Sequence, residues 1–238
     1  MSPVDTTGFR HFHDELASLK QRLLAMSERA EELVATAMES LLTRDKEKAD
    51  LVIAGDNELD RMELDIEAHA IELLALQQPL ARDLRFIVSA IKVASDLERV
   101  GDHSVNIAQC ALRLISQHSA ISPDPELEDM ARRARSMLSD ALDAFIRADG
   151  ALGREVCRRD DQVDALHNSV FRILLTHMMA DARTITPGLE LLLVSRNLER
   201  VADLATNIGE DAVYLAEGKQ IKHRVEADAP DPTPTAAG

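Results

Sequence analysis

The chain is 238 residues long and carries 27 Lys and Arg against 42 Asp and Glu, a formal charge of −15. An acidic balance of that size excludes a nucleic-acid surface, which needs cationic patches to displace phosphate counterions. A hydrophobic content of 45% excludes a disordered acidic chain, and only 3% aromatics, with no Trp, exclude the sandwiches and barrels that lean on them.

What remains, rich in Leu, Ala, Glu and Arg, has the composition of a helical bundle. A first helix is predicted from Phe9 to about Thr43, periodic and free of Gly and Pro. Asp45 can cap a second that runs to about Leu76, where Gln77-Gln78-Pro79 ends it because proline lacks the N–H the helix needs. A third runs from about Leu80 to His118, and Ile121-Ser122-Pro123-Asp124-Pro125 reads as the clearest linker. Three more helices are expected at about 126–147, 149–180 and 187–217, divided near Asp149-Gly150 and near Thr186-Pro187-Gly188. The residues beyond 218, Pro- and Ala-rich toward Gly238, should be disordered.

The longest run without Asp, Glu, Lys or Arg, Leu114 to Pro123, is far short of the roughly 20 apolar residues a bilayer span requires. The N-terminal segment lacks the apolar core of a secretory signal, so a cytoplasmic placement is expected. Cys110 and Cys157 lie in neither CxxC nor zinc spacing and read as reduced, half-buried small residues.

An internal repeat organises the chain. Asp96-Leu-Glu-Arg-Val-Gly-Asp-His-Ser-Val-Asn-Ile-Ala-Gln109 and Asn197-Leu-Glu-Arg-Val-Ala-Asp-Leu-Ala-Thr-Asn-Ile-Gly-Glu210 share seven of fourteen residues at an offset of 101. Upstream the offset becomes 104: Asp56-Asn-Glu-Leu-Asp60 matches Asp160-Asp-Gln-Val-Asp164, and Asp45 matches Asp149. The three-residue difference falls in the turn between the second and third helices. The expected fold is therefore all-α, six helices in two tandem three-helix bundles related by a pseudo-twofold, at residues 1–120 and 121–218, followed by the tail 219–238. Phe86, Ala90, Val93, Leu97, Val100, Ser104, Ile107 and Ala111, with their counterparts from Pro187 to Ala212, keep the spacing of a core seam.

Glu98, Asp102 and Asn106 stand four residues apart on one row, which at about 100° per residue lies off the seam and faces outward. If the second and third helices fold back on each other, Asp60 and Glu98 are equidistant from Pro79, as are Asp56 and Asp102. In the second copy, Asp164 with Glu199 and Asp160 with Asp203 are likewise centred on the turn, and Asn207 follows one helical turn on. Each unit thus sets two acidic pairs at matching heights. Such groups repel unless protons or a cation intervene. The all-oxygen donor set suits hard ions, magnesium, calcium, manganese or iron, better than zinc, which prefers Cys and His. A solvated acidic face, paired to Arg99 and Arg200, is the plainer reading of any single D-x-x-x-D, and the motif's recurrence at equal heights in both copies weighs against it.

Two copies of a three-helix unit, with D-x-x-x-D on the second helix and E-R-V-x-D-x-x-x-N on the third, resemble the PhoU family of phosphate-transport accessory and regulatory proteins. The stretch Pro79-Leu-Ala-Arg-Asp-Leu-Arg85 leading into Asp96-Leu-Glu-Arg-Val-Gly-Asp102 is similar to that family's most recognisable segment, and the resemblance spans about 9–218. It implies multinuclear metal clusters, often iron, held by Asp56, Asp60, Glu98 and Asp102 and by Asp160, Asp164, Glu199 and Asp203. It further implies an adaptor between the Pst phosphate-import ABC transporter and a PhoR-type histidine kinase, keeping the starvation response off when phosphate is plentiful. Gly101 becomes Ala202 and Asp96 becomes Asn197 in the second copy, which puts equal occupancy of the two sites in question. Arg99 and Arg200 are assigned either to ion pairs with the acidic row or to partner contact. Leu84, Val88 and Ile91, close to that row, offer a homodimer interface. A competing enzyme reading, a di-iron carboxylate oxidase, would need inward Glu-x-x-His motifs, and only Asp164-Ala-Leu-His167 approximates one.

Overall fold

The computed structural model describes residues 6–77, 79–117 and 121–221. Six α-helices account for nearly all of them: α1 (Thr6–Thr43), α2 (Lys46–Gln77), α3 (Ala81–Ser116), α4 (Pro125–Arg147), α5 (Gly150–Ala180) and α6 (Ile185–Glu217). No strand occurs among the described residues. The tail from 222 on and residues 118–120 of the inter-repeat segment lie outside them.

The repeat is written into the turns as well as the helices. Arg44 after α1 and Ala148 after α4, 104 residues apart, both take left-handed backbone at φ 55° and 52°. The next residue then closes each helix end, Asp45 N–H donating to the Ser40 carbonyl at 3.0 Å and Asp149 N–H to that of Ala144 at 2.8 Å. The same two aspartates cap the following helices: Asp45 Oδ1 accepts from Lys48 N–H, and Asp149 Oδ1 from the N–H groups of Ala151 and Leu152. One two-residue device ends one helix and starts the next in each copy.

The turn between α5 and α6 departs from expectation. Thr186-Pro187-Gly188 does not break the chain; the break is a short 3₁₀ turn, Ala182–Thr184, capped by Asp181, and Pro187 sits in the first turn of α6. Proline is tolerated there because the N–H it lacks would have no helical partner.

Helix α3 packs against α1, α2 and α6, and α6 against α3, α4 and α5, while α1 and α4 meet behind them. The front layer therefore runs α2, α3, α6, α5, with the pseudo-twofold between α3 and α6. Every seam residue named from the sequence on α3 and α6 is buried, Leu97, Val100, Leu198 and Val201 completely. The two copies share one apolar core, closed across them by Phe86 and Phe145, whose rings stack with centroids 5.2 Å apart.

The α5–α6 hairpin is the tightest contact. A Cβ placed on Gly153 would lie 2.6 Å from the Gly209 carbonyl oxygen, a backbone atom that cannot swing aside. Ala49 and Ala108 occupy the matching positions of the first copy. Gly153→Ala is therefore expected to destabilise the protein by about 1–3 kcal/mol through overpacking. In urea unfolding, the midpoint should fall without a change in slope.

Candidate metal centres in the helix hairpins

In the first copy the α2–α3 hairpin brings Asp56, Asp60, Glu98 and Asp102 together, as the fold-back arithmetic requires. Partial burial, then the charges of Asp102, Glu63, Asp60 and Asp56, push the Glu98 carboxyl up to about 7. Asp56 is raised as well, by burial and then by Asp102 and Asp60. In the second copy Asp160 is pushed up to about 6 by burial and then by Asp203, Asp164, Asp161 and Glu199. Asp164 and Asp203 are raised too, burial again leading.

The row is not the fully outward face that helical periodicity predicts. Asp56, Glu98, Asp160, Glu199 and Asp203 are half-buried, because each looks into the groove between two close-packed helices. Asp56 Oδ1 and Asp160 Oδ1, repeat-equivalent atoms, are both buried and accept no hydrogen bond. Gly101 helps create this setting in the first copy: a Cβ there would lie 2.6 Å from Leu59 Cδ1 and 2.9 Å from Asp56 Oδ1. Glu63 and Asp161 also join the clusters. Glu63 was findable by following the α2 row one turn beyond Asp60; Asp161, beside Asp160 in the chain, is off that row.

The copies differ around this shared centre. The counterpart of Glu63 is His167, whose Nδ1 lies 2.7 Å from Ser195 Oγ and whose ring also acts on the Asp164 carboxyl, drawing it down against its burial. Ser195 is wholly buried against the Met130 sulfur. Arg200 binds Asp203 at 2.6 Å and lies 3.7 Å from Glu199, whereas Arg99 lies 3.7 Å from Asp96. Both arginines line a cleft of about 410 Å³ between α3 and α6, with His103 and Asn207. His103 Nδ1 meets Asn197 Oδ1 at 2.9 Å across the same interface. Asn207 thus faces the cleft, and Asn106 is exposed one turn beyond Asp102. Cys110 is fully buried rather than half-buried, its thiol raised to about 12 by burial; Cys157 is intermediate and raised to about 11.

The residues present fit a hard cation. The donors are all oxygen, two of those oxygens are buried without a donor, and burial with the neighbouring like charge raises Glu98 and Asp160 toward neutral pH. Among the described residues, as their side chains stand, no group of three or more His, Cys, Asp or Glu is placed to hold a metal ion.

A profile described as the PhoU domain matches residues 23–111 and 127–212. The phosphate-specific transport system accessory protein PhoU homologue of Clostridium acetobutylicum is 38% identical over 213 residues, 88% of this chain and 96% of that protein. The homologue of Caulobacter vibrioides is 39% identical over 212 residues, covering 89% and 92%. The crystal structure of PhoU from Pseudomonas aeruginosa superposes with a TM-score of 0.83 at 35% identity, over 87% of this chain and all of that one. That of the phosphate transport system regulatory protein PhoU from Streptococcus pneumoniae gives 0.80 at 32%, over 88% and 98%.

Glu98 and Asp160 bind protons more tightly folded than unfolded, so the stability they contribute is full below the ordinary carboxylate range and is lost as pH rises through about 6 to 7. The lowered carboxyls, Asp129, Asp181 and Glu217, act with the opposite sign but below about pH 4. Metal-free protein should therefore lose stability between about pH 5 and 7.5, and Glu98→Gln with Asp160→Asn should flatten that slope. Chemical denaturation followed by circular dichroism across this range checks it; an unchanged slope contradicts the assignment.

Proposed function

The chain belongs to the PhoU family, and on that premise we propose that it is a cytoplasmic regulatory adaptor of phosphate transport that works with metal ions held in its two acidic hairpins. The observation that carries this reading is the duplicated cluster itself. Asp56 and Asp160 each bury a carboxylate oxygen that no donor satisfies, in grooves already crowded with like charge. Nothing in the packing of the helices calls for such an oxygen, which costs about 1–3 kcal/mol or more when left alone. Iron, manganese, magnesium or calcium suits the donors, and zinc suits them less.

In this reading Asp56, Asp60, Glu98 and Asp102 hold one ion or cluster, and Asp160, Asp164, Glu199 and Asp203 another, with Asn106 and Asn207 one turn further along. The bound charge neutralises the front layer and makes it a docking surface. Arg99 and Arg200, on either side of the central cleft, contact the partner. The partners are the ATP-hydrolysing part of the Pst phosphate importer and a PhoR-type sensor histidine kinase, and the docked state holds the starvation response off when phosphate is plentiful. Relatives named for their place in phosphate-specific transport support the setting. No helix among the described residues is long and apolar enough to cross a membrane, which suits an adaptor brought to the inner face of the membrane by its partners.

Asp102→Ala combined with Asp203→Ala tests the proposal. Protein purified without chelator should lose most of its bound metal, read by elemental mass spectrometry, and should no longer bind the importer or the kinase. Added cation at about 100 times its Kd should stabilise the parent protein by about 2.7 kcal/mol at pH 7.5 and leave the double variant unmoved. Unchanged metal content together with unchanged binding would sink it.

A further inference from the structure

The cleft of about 410 Å³ between α3 and α6 holds more hydrogen-bonding chemistry than the packing of two helices needs. The repeat-equivalent Arg99 and Arg200 both line it, one from each half. A guanidinium carries five N–H donors in a planar fork, which matches the oxygens of a tetrahedral anion. Arg99 lies 3.7 Å from Asp96, too far for a hydrogen bond, and Arg200 donates from Nη1 to Asp203 at 2.6 Å, which leaves donors on both. On α6 the wall adds Asn207 and Thr206, whose Oγ1 is buried without a hydrogen-bond partner. Val105 holds the place of Thr206 in the first copy, so the repeated fold does not call for a hydroxyl there. A helical threonine has two χ1 rotamers open to it, and an anion in the cleft gives this hydroxyl an acceptor to turn to.

The same cleft also accepts hydrogens. His103 Nδ1 meets Asn197 Oδ1 at 2.9 Å, and the amide is oriented by Asn197 Nδ2 donating to the Leu193 carbonyl at 2.8 Å. An amide oxygen has no hydrogen to give, so Nδ1 carries it and Nε2 of the neutral ring is an acceptor. Asp203 and Glu210 bring carboxylate oxygens to the lining. Such acceptors disfavour a fully deprotonated oxyanion such as sulfate, which has nothing to donate to them. They suit a tetrahedral oxyanion that keeps a hydrogen near neutral pH, and inorganic phosphate is such an ion. The volume takes it together with several waters, each of about 30 Å³.

We propose that this cleft binds one inorganic phosphate, its bare oxygens held by Arg99 and Arg200 and its P–OH donated to an acceptor of the lining. The site goes beyond the adaptor reading and stands on its own residues. If both hold, phosphate and partner meet at the same two arginines.

Equilibrium dialysis of the full chain against radiolabelled inorganic phosphate tests it, on protein as purified and again after chelator treatment. Arg99→Gln and Thr206→Val are compared with Arg132→Gln on α4, which does not line the cleft, and melting curves confirm that each variant folds. The expected result is one phosphate per chain with a Kd of about 1 mM or tighter, in both preparations, with sulfate competing at least roughly tenfold less well. Arg99→Gln should weaken binding roughly tenfold and Thr206→Val about threefold, with Arg132→Gln unchanged. No label retained at about 10 mM phosphate, sulfate competing equally, or binding indifferent to both cleft substitutions would overturn the inference. So would retention only before chelator treatment, the mark of a phosphate seated on a cation in the hairpins. Each of these outcomes leaves the adaptor reading standing, since that reading is tested by metal content and partner binding.

Discussion

Like charges lodged in the groove between two antiparallel helices push those helices apart, and the packing behind them is what keeps the groove closed. Two carboxylates about 5 Å apart repel by about 3 kcal/mol at an effective dielectric of about 20. Against this, each fully buried Leu or Val behind the hairpin contributes about 1.5–3 kcal/mol. Leu59, Leu97 and Val100 in the first copy and Val163, Leu198 and Val201 in the second are fully buried beneath the clusters. A few such residues outweigh the repulsion, so the fold holds a charged arrangement that its own side chains leave unsatisfied. Burial first, and then this like charge, raises the carboxyls of Glu98 and Asp160.

Much of this was legible from residues alone, and the reasons are physical. Apolar spacing along α3 and α6 is nearly free of interruption, so the seam could be drawn residue by residue. Asp45 announces a helix start because a short carboxylate before an apolar run readily caps it, and its repeat-equivalent Asp149 does the same in the structure. Equal distance from the turn located the acidic pairs, since an antiparallel hairpin has one register once its turn is known. The depth of the acidic row escaped the sequence: angle around a helix says which way a side chain leaves, not how near the neighbouring helix stands. That nearness depends on small residues such as Gly101, whose missing Cβ is read only against Leu59 and Asp56. The α5–α6 turn escaped for another reason, since proline reads as a breaker until its place within the first helical turn is seen.

The two halves have drifted apart around a preserved centre. Glu63 thickens the acidity of the first cluster where the second carries His167, hydrogen-bonded to the buried Ser195. Arg200 grips Asp203, whereas its counterpart Arg99 leans on Asp96, a residue the second copy replaces with Asn197. Asn197 in turn meets His103 across the axis, so the position that is acidic in the first half makes a hydrogen bond between halves in the second. The grooves share a donor set yet differ in net charge and in the freedom of their members.

The stacking of Phe86 on Phe145 ties the halves to one another. A polypeptide of half this length would carry such a ring on a bare apolar flank, and water would drive the two flanks together. The stack pairs unlike positions of the repeat, with Leu41 and Pro187 at the mirror sites, so a second copy of either half could not stand in for the other and keep it.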